Sequence, residues 1–446
     1  MRSILVGLAL LALMAAGSAV GAELPRRGTL GLALAPTEDG QALKIVKIVN
    51  SNAPAVHLDD IVVSINGKPL SGPQGVGPGG ATYGIKPGDV ARVTIVRAGA
   101  TMEVTVTAFA VPPPVLDGRA IEMDAVQAKG GPRVRTFFLE PTPKTLARRG
   151  RVPAVMILPG IPCGTVETFG AAGHPYTKLF AMLTAEGFAV AMADKPGQGD
   201  SEGTPCLEGG YDVEEQAFRA AARRFAGDKR VDPKRFYIIG LSLGGFQAPA
   251  VAESIAPAGI VTWGAGVSFW HDYLLTTFQR RAILQGEVPD ENAWHGRHWR
   301  RVLTALMEGK SVDEVTKLYP ESSAAVATGV GDLSRFAERS WTFHREIDRA
   351  PIVRGWNVFD GKLLALHGEY DWVSERHDHR LAVDIVNRRH PGNAVFEVVP
   401  GNDHAFSKHK TLADSFAKFG QGEPDDTFFN RSVAWLKAEA EPSVRR

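Results

Sequence analysis

The sequence predicts an α/β fold, a mainly parallel sheet with helices on both faces and a helical cap, preceded by a small β-rich domain. Three observations carry this. Apolar runs of buried-strand type recur at Ala154 to Leu158, Ala189 to Ala193, Phe236 to Ile239, Gly259 to Trp263, Lys362 to Leu366 and Ala394 to Val399. Amphipathic helical patterns separate most of them, at 176–185, 213–225, 243–254, 375–387 and 427–440, the signature of strands buried on both faces. Upstream of a proline run, Val111-Pro112-Pro113-Pro114, the rhythm changes to short β-branched segments divided by turn signals. The interval from about 268 to 354 is helical in pattern and interrupts the alternation, as a cap inserted between two core strands would.

The chain begins with a short positive region, Met1-Arg2-Ser3, an apolar core from Ile4 to Ala16, and small residues at Val20-Gly21-Ala22. This is the pattern of a secretory signal peptide over 1–22, with a mature start at Glu23 and an exported, periplasmic or extracellular protein as the consequence. The apolar core is short for a bilayer span, no later run approaches about 18 apolar residues, and no cysteine near the cleavage site signals a lipid anchor. The 446 residues leave room for two domains, and 50 basic against 49 acidic residues give no reason to expect nucleic acid or an anionic membrane as partner. Cys163 and Cys206 are the only cysteines; in an oxidising compartment they read as a bridge worth roughly 4 kcal/mol on a chain-entropy argument.

Residues 28–110 carry strand patterns at 43–49, 60–66, 91–97 and 101–107, punctuated by Asn66-Gly67, Pro87-Gly88 and Ala98-Gly99. Thr29-Leu30-Gly31-Leu32 and Asp59-Asp-Ile-Val-Val-Ser-Ile-Asn66-Gly67-Lys68 make this segment resemble a bacterial PDZ domain. The resemblance implies that Thr29, Leu30, Gly31 and Leu32 form a carboxylate-binding loop for a peptide C-terminus. The stretch from Ser71 to Gly84 is glycine-rich where that family has a groove-lining helix, so a packing or spacer role stands beside peptide capture. The proline run 111–114 reads as a semi-rigid linker.

Beyond it, the second domain spans 115–441, with Val115 to Ala125 and Arg133 to Leu139 as a leading antiparallel pair. The pattern Gly240-Leu-Ser242-Leu-Gly244 follows the apolar run at 236–239 and opens into a helix, the sequence form of a serine held on a tight strand-to-helix turn. Asp371 follows the strand at 362–366, and His404 sits in Pro400-Gly-Asn-Asp-His404 after the strand at 394–399. A serine hydroxyl needs a base, and the base needs an orienting acid. Asp360, Glu369 and Asp403 are rival acids. Asp371 is preferred because it falls on the loop leaving a core strand at the end where such sheets bind ligands, and Asp403 is disfavoured because adjacent side chains diverge.

With the strand ending Leu158-Pro159-Gly160-Ile161 and the loop Asp194-Lys-Pro-Gly197-Gln-Gly199-Asp-Ser201, these motifs make the second domain resemble the α/β-hydrolase superfamily over about 330 residues. More narrowly, the chain resembles secreted bacterial hydrolases with an N-terminal PDZ domain. The resemblance implies a Ser242–His404–Asp371 triad, an oxyanion hole from the backbone N–H groups of Leu243 and Ile161, and no cofactor. The expected function is cleavage of a carboxylic ester through an acyl-enzyme. A serine aminopeptidase or other peptidase, and a peptide-binding protein with an inactive hydrolase domain, remain alternatives.

Other features have plainer readings. Trp270, Trp294, Trp299 and Trp341 are expected in the cap's own core. His295 with His298, and His377 and His379 around Asp378, lack a full zinc ligand set, so no metal is expected. Arginines 280, 281, 297, 300 and 301 offer contacts to an acidic substrate, but solvated helix faces are the simpler reading. Pro249 should kink or break the helix that follows Ser242.

Overall fold

The computed structural model describes residues 23–38, 42–50, 53–70, 81–82, 84–142, 150–169, 173–264, 266–330 and 333–441. The leader expected at 1–22 and most of the 71–84 stretch lie outside the described residues. No helix among the described residues is long and apolar enough to cross a membrane.

The larger unit is built on an eight-stranded sheet. Its strands are β1 (Glu122–Gln127), β2 (Arg133–Leu139), β3 (Val152–Leu158), β4 (Ala189–Ala193), β5 (Val231–Leu241), β6 (Gly259–Trp263), β7 (Lys362–Gly368) and β8 (Ala394–Val399). They lie in the order β1-β2-β4-β3-β5-β6-β7-β8. The first two are antiparallel to their neighbours and all later pairings are parallel. Every residue of β3, β4 and β6 is buried, which is why those runs are apolar throughout rather than alternating.

Two cores flank the sheet. On one face Phe180, Phe188, Tyr237, Trp263, Phe428 and Trp435 pack together; on the other Phe218, Phe246, Trp270, Leu303 and Trp356 do so. The second core continues from the sheet into the inserted helices Trp270–Leu284, Pro289–Met307, Val312–Leu318, Pro320–Val330, Trp341–Asp348 and Ile352–Val358. Trp270 and Trp341 are buried as expected, and Trp299 stacks on Phe278. Trp294 departs from the expectation: it is exposed and rests on His298 at the surface of its helix.

Pro249 does not break its helix. The Leu243–Ala252 helix runs through it, and all ten of its residues are buried. Gly355 of the facing helix makes room for the ring: a Cβ there would stand 2.8 Å from the Pro249 Cβ.

The N-terminal unit is an antiparallel sheet in the order Leu32–Pro36, Leu43–Ile48, Ile61–Ile65, Val90–Arg97, Ala100–Thr107, with Lys68–Pro69 added to the third of these strands. Leu43 and Ile45, Val93 and Ile95, and, across a register shift between Val62 and Ser64, Val62 and Ile65 belong to one small core. Its path to the larger unit is tied down at both ends. Val111 N–H donates to Arg27 O at 3.0 Å, Arg26 Nε donates to Val111 O at 3.0 Å, and Arg27 N–H donates to the buried Asp200 carboxylate at 2.9 Å. Arg26 and Arg27 also pair with Glu167 at 2.6 and 2.7 Å.

Candidate active site

The sheet presents three side chains at the carboxyl ends of β5, β7 and β8. Ser242 caps β5 with φ 53° and ψ −119°, a backbone conformation that a non-glycine residue holds only under constraint from its surroundings. The constraint is steric closeness of strand and helix. A Cβ at Gly240 would lie 2.6 Å from Gly244 O, and one at Gly244 would lie 2.2 Å from Leu158 O, so the two flanking glycines are the residues that let β5, its helix and β3 meet. Ser242 N–H donates to Trp263 O at 2.6 Å, pinning the turn to β6.

His404 Nε2 lies 2.9 Å from Ser242 Oγ, and its Nδ1 lies 2.8 Å from Asp371 Oδ2. The Asp371 side chain is fully buried and that of His404 is 13% exposed. Asp371 is itself oriented: Oδ1 accepts from the N–H groups of Val373 and Ser374 at 2.8 and 2.9 Å, and Oδ2 accepts from Ser374 Oγ at 2.6 Å. Burial alone would raise the Asp371 carboxyl, but the His404 charge and hydrogen bond, the His367 charge and the Ser374 hydroxyl hold it well below the usual carboxylate range. Burial alone would lower His404, yet the Asp371 charge and hydrogen bond, with Asp403 adding to them, leave it above its ordinary value.

The rival acids have other partners. Asp403 accepts from Ala405 and Ser407 N–H at 2.9 and 2.8 Å, from Gly420 N–H at 2.9 Å, and lies 3.0 Å from His409 Nε2. It organises the loop that carries His404. Glu369 accepts from Gly401 N–H at 2.8 Å on the same loop, and Asp360 pairs at the surface with Arg389 and His390.

Leu243 begins the helix after Ser242, so its N–H has no acceptor within the helix. Ile161 lies on the loop leaving β3. The loop runs beside the serine, since a Cβ at Gly160 would stand 3.5 Å from the Ser242 Cβ. Cys163 on this loop is bridged to Cys206 with Cα atoms 5.7 Å apart, as the cysteine reading expected.

Sequence reasoning missed several residues that hold the site. Gly264, with φ +72°, leaves space for the His404 ring. Asp378 accepts from Val267 and Ser268 N–H at 3.0 and 3.1 Å and from Ser268 Oγ at 2.7 Å, fixing the chain that leaves β6. Arg280 is not on a solvated face. It donates to Trp372 O at 2.5 Å and Ser374 O at 3.2 Å, and Tyr273 OH donates to Val373 O at 2.9 Å, so the cap's first helix braces the Asp371 turn. Lys195 Nζ donates to the carbonyls of Gly160, Ile161 and Pro162 at 2.5, 2.9 and 3.1 Å. None of these has a local sequence signal; each acts on a loop distant in the chain.

The histidine pairs hold no ligand set. His298 lies 2.7 Å from Ser322 Oγ, His295 pairs with Glu287, and His379 lies 2.8 Å from Glu375 O. No group of three or more metal-ligating side chains occurs among the described residues.

In the N-terminal unit, Thr29 to Leu32 lines a groove of about 1090 Å³ whose opposite wall includes Gln198 to Ser201 of the larger unit. Gly31 N–H donates to Thr29 Oγ1 at 3.1 Å, and Leu30 is buried with its carbonyl accepting from Asn50 Nδ2 at 3.2 Å. One of the amides expected to face a carboxylate is therefore engaged within the loop.

No protein-family model matches the chain, and no curated protein matches it. Among solved structures, the chain is similar to the α/β hydrolase GrgF from Penicillium sp. sh18, at 14% identity and a TM-score of 0.44 over 72% of this chain and 99% of that one. It is similar to Est1E from Butyrivibrio proteoclasticus, solved with ferulic acid bound, at 13% identity and a TM-score of 0.43 over 70% of this chain and 96% of that one. The Pyrococcus furiosus esterase Pf2001 is similar at 14% identity and a TM-score of 0.43, over 74% of this chain and 97% of that one.

Proposed function

We propose that this chain is an exported serine hydrolase of the α/β-hydrolase type that cleaves a carboxylic ester through an acyl-enzyme. The observation that carries the reading is the continuous hydrogen-bonded line Ser242 Oγ, His404, Asp371, at 2.9 and 2.8 Å, at the carboxyl edge of the sheet. His404 takes the Ser242 proton as the hydroxyl attacks the ester carbonyl, and Asp371 stabilises the imidazolium that forms. The carbonyl oxygen gathers negative charge against the Leu243 and Ile161 N–H groups. Collapse of the tetrahedral adduct expels the alcohol, which receives the proton from His404. Water then repeats the sequence on the acyl-serine and releases the acid.

Export is supported by the leader-like segment 1–22 and by the Cys163–Cys206 bridge, which an oxidising compartment sustains. The N-terminal unit is proposed as a PDZ-like module resting on the hydrolase, with a small-molecule ester as the substrate of the whole. The test is to treat purified protein with a fluorophosphonate probe and assay short-chain esters beside aminoacyl amides. Labelling at Ser242 with ester turnover supports the reading. Turnover of amides alone would make the protein a peptidase, and absence of both labelling and turnover would leave only a binding protein.

A further inference from the structure

The loop leaving β3 turns three successive carbonyls, those of Gly160, Ile161 and Pro162, toward one ammonium. Parallel carbonyl dipoles repel one another, and a loop aligns them only where a donor collects them. A lysine suits the task because its three N–H bonds match three acceptors. Its side chain is 1% exposed, and burial of a cation is unfavourable unless its partners are well placed.

Partners are close by. Glu214 lies 3.7 Å from Lys195 Nζ, pairs with the equally buried Arg339, and accepts from Gln247 Nε2 of the Ser242 helix at 3.0 Å. Arg339 Nη1 reaches Ile161 O at 3.3 Å and Cys206 Sγ at 3.1 Å, while Glu338 accepts from Cys163 N–H at 3.0 Å. Two buried cations and a carboxylate thus join the loop after β3, the disulfide, the cap and the helix of the nucleophile.

The peptide joining Gly160 to Ile161 is trans, as are all peptides among the described residues. In a trans peptide the N–H points opposite to the C=O. Holding the Gly160 carbonyl on Lys195 therefore directs the Ile161 N–H away from the lysine, on a loop already beside Ser242. A charged partner on the carbonyl also polarises the peptide and strengthens its N–H as a donor.

We propose that Lys195 is a positioning residue for the oxyanion hole: it gathers the Gly160, Ile161 and Pro162 carbonyls so that the Ile161 N–H is presented to the transition state, with Glu214 and Arg339 holding the lysine in place. This rests on the hydrolase reading and deepens it. The residue touches no substrate atom and acts only through the loop.

The experiment compares wild type with Lys195→Met in the full exported chain, measuring kcat and KM on a short-chain p-nitrophenyl ester, inhibition by phenylboronic acid, and the acid limb of the pH profile. Loss of one oxyanion donor lowers kcat by about 10²-fold, so the expected result is that fall with KM nearly constant, a parallel loss of boronate affinity, and an unmoved acid limb. A change in KM alone, an unchanged kcat, or a displaced acid limb would overturn the proposal. If Lys195→Met does not fold, Lys195→Gln, which keeps two N–H donors, must show the same kcat-specific loss at about tenfold, and a KM-only effect there overturns it equally. Wild-type protein with neither ester turnover nor probe labelling would instead sink the hydrolase reading itself.

Discussion

Gly264 lies directly against the His404 ring: a Cβ added to Gly264 would stand 2.3 Å from His404 Cε1 and 2.9 Å from Nδ1. The backbone there has φ +72°, which disfavours a side chain in any case. Gly264→Ala should push the imidazole off the Ser242–Asp371 line and lower kcat by about 10²-fold, the scale expected for a misplacement near 1 Å. Steady-state kinetics with a crystal structure of the variant would check this. A fully active variant with an unmoved ring would show that the packing is not restrictive.

Asp371 and Asp403 should separate in their effect on turnover. Asp371→Asn presents a neutral amide to His404 Nδ1 and should lower kcat by about 10⁴-fold; because Asp371 is buried and accepts from Val373 N–H, Ser374 N–H and Ser374 Oγ, it should also lose about 1–3 kcal/mol of stability. Asp403→Asn leaves His409 and three backbone N–H groups with a weaker acceptor. It should destabilise the protein by about 1–3 kcal/mol and keep the larger share of activity. Thermal unfolding and ester turnover on both variants decide, and the reverse ranking in kcat would reassign the acid.

The acid limb of the rate profile has a direction. Only neutral His404 can accept the serine proton, and the Asp371 charge and hydrogen bond raise it above its ordinary value despite burial. Activity is therefore lost as the pH falls through that raised value, and the limb should lie above about 6.5. Removing the carboxylate in Asp371→Asn should move the limb of the residual activity downward. A wild-type limb below 6 would mean that burial outweighs the Asp371 charge.

Much of this arrangement was legible in the sequence because its signals are local. A strand ending in Gly240-Leu-Ser242-Leu-Gly244 has one economical geometry, and the glycines are explained by the lack of room for a side chain, since a Cβ at Gly244 would stand 2.2 Å from Leu158 O. Asp371 and His404 could be chosen from the loop positions after β7 and β8. The alternation of strands and helices held to within a few residues for the core, since buried parallel strands are apolar without interruption. What was not legible acts across the chain. Arg280 looked like a surface arginine because the carbonyls it holds, of Trp372 and Ser374, lie more than 90 residues later in the chain. Lys195 carries no signal of its own within the Asp194 to Ser201 motif, because the carbonyls it holds lie more than 30 residues earlier. Pro249, expected from propensity to kink or break its helix, does not break it, in a helix whose every residue is buried.

The Cys163–Cys206 bridge joins the loop bearing Ile161 to the loop after β4, next to Arg339. Mass spectrometry of non-reduced exported protein should find the linked peptides and no free thiol. Mild reduction should lower ester turnover before the unfolding midpoint collapses, because the loop is also held by Lys195. Two alkylatable thiols in the native protein would end this prediction.

The central claim is that Ser242 is the nucleophile of a His404-dependent hydrolase. Its most direct test is intact-protein and peptide mass spectrometry after reaction with a fluorophosphonate, on wild type, Ser242→Ala and His404→Gln. The account predicts one phosphonyl group per chain, on the peptide containing Ser242, absent in Ser242→Ala and slowed by roughly 10³-fold or more in His404→Gln, with ester turnover falling in parallel. Modification at another residue, or undiminished ester turnover by Ser242→Ala, would contradict it.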